Sequence, residues 1–401
     1  MTSSAPGIYL DNNSTTRPAD EVVEAVSRTM TETYANASNN LHDGGRRAAE
    51  AVERGRIRTA ELIGAEPKEI LFTSGATESC NLAIKGVAAM YRESGDHIIT
   101  SSVEHKAVLG SCDRLESQGF QITRLTPDAV GRISAEQVEA AIRPDTVLIS
   151  IMAANNVVGT LNPMSEIGEV AKRRGVLFHT DATQAVGRIP VDVEAWGVDL
   201  LSLSGHKFHG PKGIGALYLR ARAPKVRLQR MSDGGGQERK LRAGTLNTPG
   251  VVGLGVACEL AKRAMASGAS EGMASLRDRL LEGIRQRTPN VVLNGCSDQR
   301  LPNTLNLSFP AVEAITLLRK LDSIMFSVGS ACAGGADDPH YVLRAMGASD
   351  EVAVSSCRFS LSRFTTREEI DLAAERIADA VKAIRLSGAA PSCSCEGGRC
   401  C

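Results

Sequence analysis

The chain has 401 residues, and its 46 lysines and arginines equal its 46 aspartates and glutamates, so the formal charge is zero. Charged residues at 23% and apolar residues at 42% fit a soluble globular chain of one or two domains and exclude a disordered one. Balanced charge argues against nucleic acid or an anionic membrane as the main ligand, and 3% aromatics with 38 glycines favour an aliphatic α/β core over a β-sandwich.

In chain order, an amphipathic helix is expected over residues 19–33, entered through Pro18, and a second over 42–63. A strand at 69–73 runs into Ser74 and Gly75, and a helix at 77–93 follows. A strand at 97–101, a helix at 106–119, a strand at 121–125 and a helix at 134–142 come next. The alternation closes with strand 146–152, helix 165–174, and strands at 176–179, 199–203 and 215–219. Strands spaced by helices imply right-handed crossovers and a mainly parallel sheet. After a long helix at 249–267 the pattern changes. Helix 275–287, strand 304–308, helix 313–320, strand 324–328, helix 340–346, strand 357–361 and helix 367–386 read as a smaller α+β domain. The expected division is 18–261 as the large domain, 1–17 with 262–388 as the small one, and 389–401 as a mobile cysteine-rich tail.

Residues 146–165 carry no charge, but Asn155, Asn156, Asn162 and Pro163 interrupt them, and a span needs about 20 mainly apolar residues. Residues 1–7 lack the basic start and apolar stretch of a secretory signal. Six cysteines are scattered (Cys80, Cys112, Cys258, Cys296, Cys332 and Cys357), which fits a reducing cytosol.

Three motifs carry chemistry. Residues 72–78, FTSGATE, take a strand into a helix. The free N–H groups at the helix start, with Gly75, Ala76 and Thr77, suit an anion such as phosphate. Thr77 also suits an ordinary N-cap. In residues 179–184, HTDATQ, Asp181 falls just past an apolar strand, where open α/β sheets bind ligands. A capping role competes. Residues 203–215 hold two lysines, Lys207 and Lys212, among small residues and histidines. A desolvated lysine there is poised for carbonyl chemistry, and Lys207, after Ser204, Gly205 and His206, has the better setting. A phosphate cradle, an aspartate at a strand end and such a lysine form the constellation of a pyridoxal 5'-phosphate site.

The chain resembles the cysteine desulfurases of the NifS/IscS type, within the class V aminotransferase family. The resemblance runs from residues 8–13, IYLDNN, to about 386, through 72–78, VEHKAV at 103–108, ANN at 154–156, HTDATQ, residues 204–213, GGGQER at 234–239, RAGT at 242–245, GSAC at 329–332 and RFSL at 358–361. It implies an α/β fold of the fold-type-I pyridoxal-phosphate enzymes, with a mainly parallel seven-stranded sheet and a homodimer. It implies that Lys207 carries the cofactor and moves protons, Asp181 pairs with its ring nitrogen, His105 stacks on the ring and serves as a catalytic acid or base, and Gln184 bonds the ring oxygen. Thr77, Ser204 and His206 are implied to bind phosphate, with Thr245 supplied by the second subunit. Asn156 and Arg358 are implied to orient the substrate, and Cys332 to be the nucleophile. The implied reaction turns L-cysteine into L-alanine and leaves a persulfide on Cys332. That sulfur then passes to an acceptor or iron–sulfur scaffold protein, or toward thio-modified tRNA.

The sequence departs from the usual pattern at Ala37, Val157, Val328 and the glycine-rich acidic stretch 333–339. Selenocysteine lyase and cysteine sulfinate desulfinase activities are the rivals within the class. A catalytically quiet sulfur-trafficking protein is the rival outside it. The tail thiols Cys393, Cys395, Cys400 and Cys401 are no family motif. They are expected to form a redox-sensitive terminus that relays sulfur. They are also the one candidate metal set, for zinc or an iron–sulfur cluster, against which the adjacency of Cys400 and Cys401 counts.

Overall fold

The computed structural model describes residues 7–223, 225–328 and 340–388. In chain order the elements are β1 (Ile8–Tyr9), α1 (Asp20–Glu32), α2 (Asp43–Leu62), β2 (Ile70–Thr73), α3 (Ala76–Met90), β3 (His97–Ser101), α4 (Lys106–Glu116), β4 (Gln121–Leu125), α5 (Ala135–Ala141), β5 (Thr146–Ser150), α6 (Met164–Arg174), β6 (Leu177–Asp181), β7 (Leu200–Ser204) and β8 (Gly215–Leu219). Then come α7 (Thr248–Ala266), α8 (Ala269–Arg287), β9 (Val292–Asn294), β10 (Thr304–Ser308), α9 (Ala314–Lys320), β11 (Ile324–Met325), β12 (Ser327–Val328), α10 (Tyr341–Ala345), α11 (Asp350–Val354), β13 (Ser356–Ser360) and α12 (Arg367–Leu386).

Runs such as TVLIS and LLSLS are buried along their whole length, as strands covered on both faces must be. They form the expected seven-stranded sheet, in the order β2-β8-β7-β6-β5-β3-β4. Every pairing is parallel except those of β8, which runs antiparallel to both neighbours. The chain between Ser204 and Gly215 is too short for a helical crossover, so it turns back. It opens with a 3-10 turn, Gly205–Lys207. β2, β3, β5, β6 and β7 therefore point their carboxyl ends to one edge.

A second, antiparallel sheet has the order β12-β13-β10-β9. Leu280 and Ile284 of α8 and Ile377 and Val381 of α12 bury against Leu305, Leu307 and Phe359. β1 lies parallel to β11, so the start of the chain is paired with its later third.

The sequence pattern misses three short elements, β1, β9 and α11, none long enough to display a period. The strand expected over 324–328 is two pieces in different sheets, because the chain leaves β1 and joins β13 at the buried Phe326. Helix α8 starts at Ala269, six residues before the expected 275, because Gly268 takes the left-handed conformation and restarts the helix directly. Val157 is buried with Val103, Val158, Val342, Leu343 and Met346. The glutamate usual there in the resembling family would be stranded in an apolar cluster.

Candidate active site

The carboxyl edge of the large sheet gathers most of the residues singled out above. Gly75 follows β2 with φ 153° and ψ 178°, a region essentially closed to other residues. It gives α3 no side-chain cap, and a Cβ added there would sit 3.6 Å from Ser204 Oγ. The first N–H groups of α3, at Ala76 and Thr77, thus open toward Ser204 at the end of β7. The segment after Gly234 is pinned over β2. Glu238 accepts from Phe72 N at 2.7 Å and pairs with Arg56 at 2.7 Å, and Arg242 reaches Glu78 at 2.9 Å. Thr245, on that segment, is exposed, and no hydrogen bond among the described residues ties it to the set.

His105 begins α4, its Nδ1 accepting from Ala107 N at 3.1 Å. The helix-capping role is therefore real, and it leaves Nε2 for other work. Asp181 ends β6, buried, with Thr183 N donating to Oδ1 at 2.9 Å. Beneath it, His179 spans three strands through Ser150 Oγ at 2.8 Å and Ser202 Oγ at 2.9 Å. Gln184 donates to Asn13 O at 3.0 Å and accepts from Arg188. Lys207 is half-buried in the β7–β8 turn and donates from Nζ to the carbonyls of Asn13 and Ser14, each at 2.8 Å. Lys212, its competitor in the sequence, is exposed. His206 meets Thr15 Oγ1 at 3.1 Å.

The two neighbouring asparagines differ. Asn155 is structural, with Oδ1 accepting from Val157 N at 2.8 Å and Val158 N at 3.0 Å. Asn156 Oδ1 is buried with no partner among the described residues. Arg358, on β13, donates to Asn156 O at 3.1 Å and to Asp11 Oδ1 at 2.8 Å, while its Nε is buried and unpartnered among the described residues. Cys332, with the 333–339 stretch and the tail cysteines Cys393, Cys395, Cys400 and Cys401, lies outside the described residues.

Residues 11–16 are what the sequence reading missed. They touch Lys207, Gln184, Arg358 and His206 in turn. The matching stretch 8–13 hinted at them, but no chemistry-bearing pattern did. Arg188 was missed as well. It is buried without a carboxylate partner among the described residues and donates to the carbonyls of Asn12 and Lys207, each at 3.1 Å, and burial pushes it down to about 9. A lone arginine beside Gly187 and Pro190 reads as surface.

Burial also governs the protons of this region. Glu104 precedes His105, accepts from Ser101 Oγ at 2.7 Å and Met152 N at 2.9 Å, and is pushed up to about 8, chiefly by burial. His179 is pushed down to about 4 by burial, and His206 likewise, with Lys207, Lys212 and Arg188 adding repulsion. The signs are opposite. A histidine that the fold keeps neutral costs stability as pH falls from about 6.5 to about 4. Glu104, which the fold keeps protonated, costs stability as pH rises from about 4.5 to about 8. The melting temperature of Glu104→Gln, relative to the parent, is therefore expected to climb between these two pH values. A pH-independent difference would contradict this.

Against this geometry, the chain matches the family Aminotransferase class-V over residues 8–372. It is 48% identical over 378 residues to cysteine desulfurase IscS of Anaeromyxobacter dehalogenans (strain 2CP-C), covering 94% of this chain and 93% of that protein. It is 47% identical to the cysteine desulfurase of Mus musculus, covering 94% and 82%. A solved NifS-like protein superposes with a TM-score of 0.87 at 37% identity, covering 94% of this chain and all of that one. SspA, solved in complex with cysteine, gives 0.78 at 41% identity, covering 90% of this chain and 100% of SspA. No helix among the described residues is long and apolar enough to cross a membrane. The chain belongs to the class-V aminotransferase family, among the cysteine desulfurases.

Proposed function

We propose that the chain is a cysteine desulfurase that uses pyridoxal 5'-phosphate, converts L-cysteine to L-alanine and leaves a persulfide on Cys332. One observation carries the reading most: the Lys207 amine, the Asp181 carboxylate and the uncapped start of α3 meet at one edge of the sheet. They fit the cofactor's aldehyde, ring nitrogen and phosphate. Asn156 Oδ1 and Arg358 Nε, buried without a partner among the described residues, supply an acceptor and a donor that suit an amino-acid substrate.

In this reading Lys207 attaches the cofactor, and Asp181 keeps the ring nitrogen protonated. His105 stacks on the ring, and Gln184 bonds its oxygen. Gly75, Ala76, Thr77, Ser204 and His206 hold the phosphate, with Thr245 coming from the second subunit of a homodimer. When bound, the cofactor supplies an electron sink for bonds at the substrate α-carbon. Arg358 takes the substrate carboxylate and Asn156 orients it. Lys207 Nζ takes the α-proton and holds it for return. The Cys332 thiolate attacks the substrate sulfur, the carbon–sulfur bond breaks, and protonation of the carbon gives alanine.

The scattered single cysteines Cys80, Cys112, Cys258, Cys296 and Cys357 support a reducing, cytoplasmic setting. The acceptor is an iron–sulfur scaffold or other sulfur-carrier protein. We divide the chain into 18–261, 1–17 with 262–388, and the tail 389–401, a division supported by the pairing of β1 with β11. The test is direct. Protein loaded with pyridoxal phosphate and given L-cysteine with excess dithiothreitol, which reduces the persulfide to thiol and sulfide, is expected to release L-alanine and sulfide in equal amounts, read by amino-acid analysis and sulfide assay. No alanine from fully loaded protein would overturn the reading.

A further inference from the structure

We propose that Asp11 is a positioning residue for recognition of the substrate carboxylate: it fixes the Arg358 guanidinium in place before substrate arrives. The proposal rests on Arg358 being the carboxylate clamp. Arg358 is 2% exposed, and a guanidinium stays charged at any working pH. A buried, permanently charged group needs an internal partner, or it tilts toward water or strains the fold. Asp11 is that partner.

The geometry is a closed ring. Asp11 Oδ1 accepts from Arg358 Nη2 at 2.8 Å, from Ser14 Oγ at 2.9 Å and from Ser327 Oγ at 2.7 Å. Each serine in turn accepts from Arg358 Nη2, Ser14 at 2.7 Å and Ser327 at 2.9 Å. Every member thus orients the next. Asp11 is itself locked to the strand that carries Arg358. Ser360 N donates to Leu10 O at 2.7 Å, Asn12 N donates to Ser360 O at 3.2 Å, and Asn12 Nδ2 donates to Ser360 O at 2.8 Å. Nη1 is fixed by Asn156 O at 3.1 Å. With both terminal nitrogens held, the guanidinium plane is set, and Nε is the donor left unpartnered among the described residues. A clamp held this way meets its ligand without first paying the entropy of ordering.

What matters here is the acceptor oxygen in its place, not its charge. A second carboxylate arriving at Arg358 is repelled by Asp11, so the charge alone would weaken binding. Asp11→Asn keeps the acceptor, and Asp11→Ala removes it. The two variants therefore separate positioning from charge.

The experiment measures dissociation constants on the pyridoxal-phosphate-loaded enzyme by calorimetry. 3-Mercaptopropionate carries the carboxylate and thiol but no amine, and cysteamine carries the amine and thiol but no carboxylate. Asp11→Ala is expected to weaken 3-mercaptopropionate about tenfold or more and to leave cysteamine within about twofold, the size of one lost charge-assisted contact. Asp11→Asn is expected to bind 3-mercaptopropionate at least as tightly as the parent, to within about threefold. Parent-like binding by Asp11→Ala, while Arg358→Gln is weakened, overturns the proposal and spares the clamp. Equal weakening by Asp11→Asn and Asp11→Ala overturns it too. If Arg358→Gln binds 3-mercaptopropionate like the parent, the clamp fails and the proposal falls with it. Should Asp11→Ala not fold, the double variant Ser14→Ala, Ser327→Ala opens the same ring. Severalfold weaker 3-mercaptopropionate binding supports the proposal, and unchanged binding overturns it.

Discussion

Lys207→Ala is expected to lower alanine formation from L-cysteine by about a thousandfold or more, because it removes what we propose to be both the amine that attaches the cofactor and the base that moves the proton. The position is built for such an amine. The turn between β7 and β8 is forced by the antiparallel return of β8, and it delivers Lys207 to the sheet edge where Asp181 and Ser204 also end. Nζ lies against two peptide carbonyls at 2.8 Å, so it is oriented but faces no carboxylate in those two contacts. The same variant is expected to lose the visible absorbance of the lysine-bound cofactor. Activity within tenfold of the parent would show that another amine serves.

Arg358→Gln has the second-largest expected effect, and it acts in two places. One lost charge-assisted hydrogen bond to the substrate carboxylate is worth about 1.5–3 kcal/mol, so KM for L-cysteine rises about ten- to a hundredfold. Because the proposed clamp holds substrate rather than reacting atoms, kcat is expected to fall less than KM rises. The variant also leaves Asp11 beside Ser14 and Ser327 without its cation. Stripping one member from a buried ion pair costs about 3–5 kcal/mol, and Asp11, 21% exposed at its side chain, sits toward the lower end. A lower melting temperature should therefore accompany the higher KM. Unchanged KM with lowered stability would make Arg358 a purely structural residue.

The order of helices and strands was legible because most of the large-sheet strands are unbroken apolar runs set between helices with clear polar faces. That pattern implies parallel pairing and a common carboxyl edge, and the motif residues Gly75, Asp181 and Lys207 all gather there. Short elements were not legible. β1 has two residues and β9 three, and each is held by its partner strand rather than by any period of its own. The role of Asp11 was illegible for another reason. Its partners Ser327 and Arg358 are more than three hundred residues away in sequence, and the pairing of β1 with β11 and the bonds of Leu10 and Asn12 to Ser360 bring them together. Arg188 and Glu104 carry charge-bearing side chains whose burial no local pattern announces.

In the proposed reaction sulfur leaves cysteine by way of a thiol of this chain, and one measurement tests that most directly. Cofactor-loaded parent and Cys332→Ala proteins are given one equivalent of L-cysteine without reductant, and alanine and protein-bound persulfide are counted together by mass spectrometry. The account predicts one persulfide on Cys332 for each alanine in the parent, and neither persulfide nor alanine at the parental rate in Cys332→Ala. Alanine and persulfide formed by Cys332→Ala at the parental rate would contradict it.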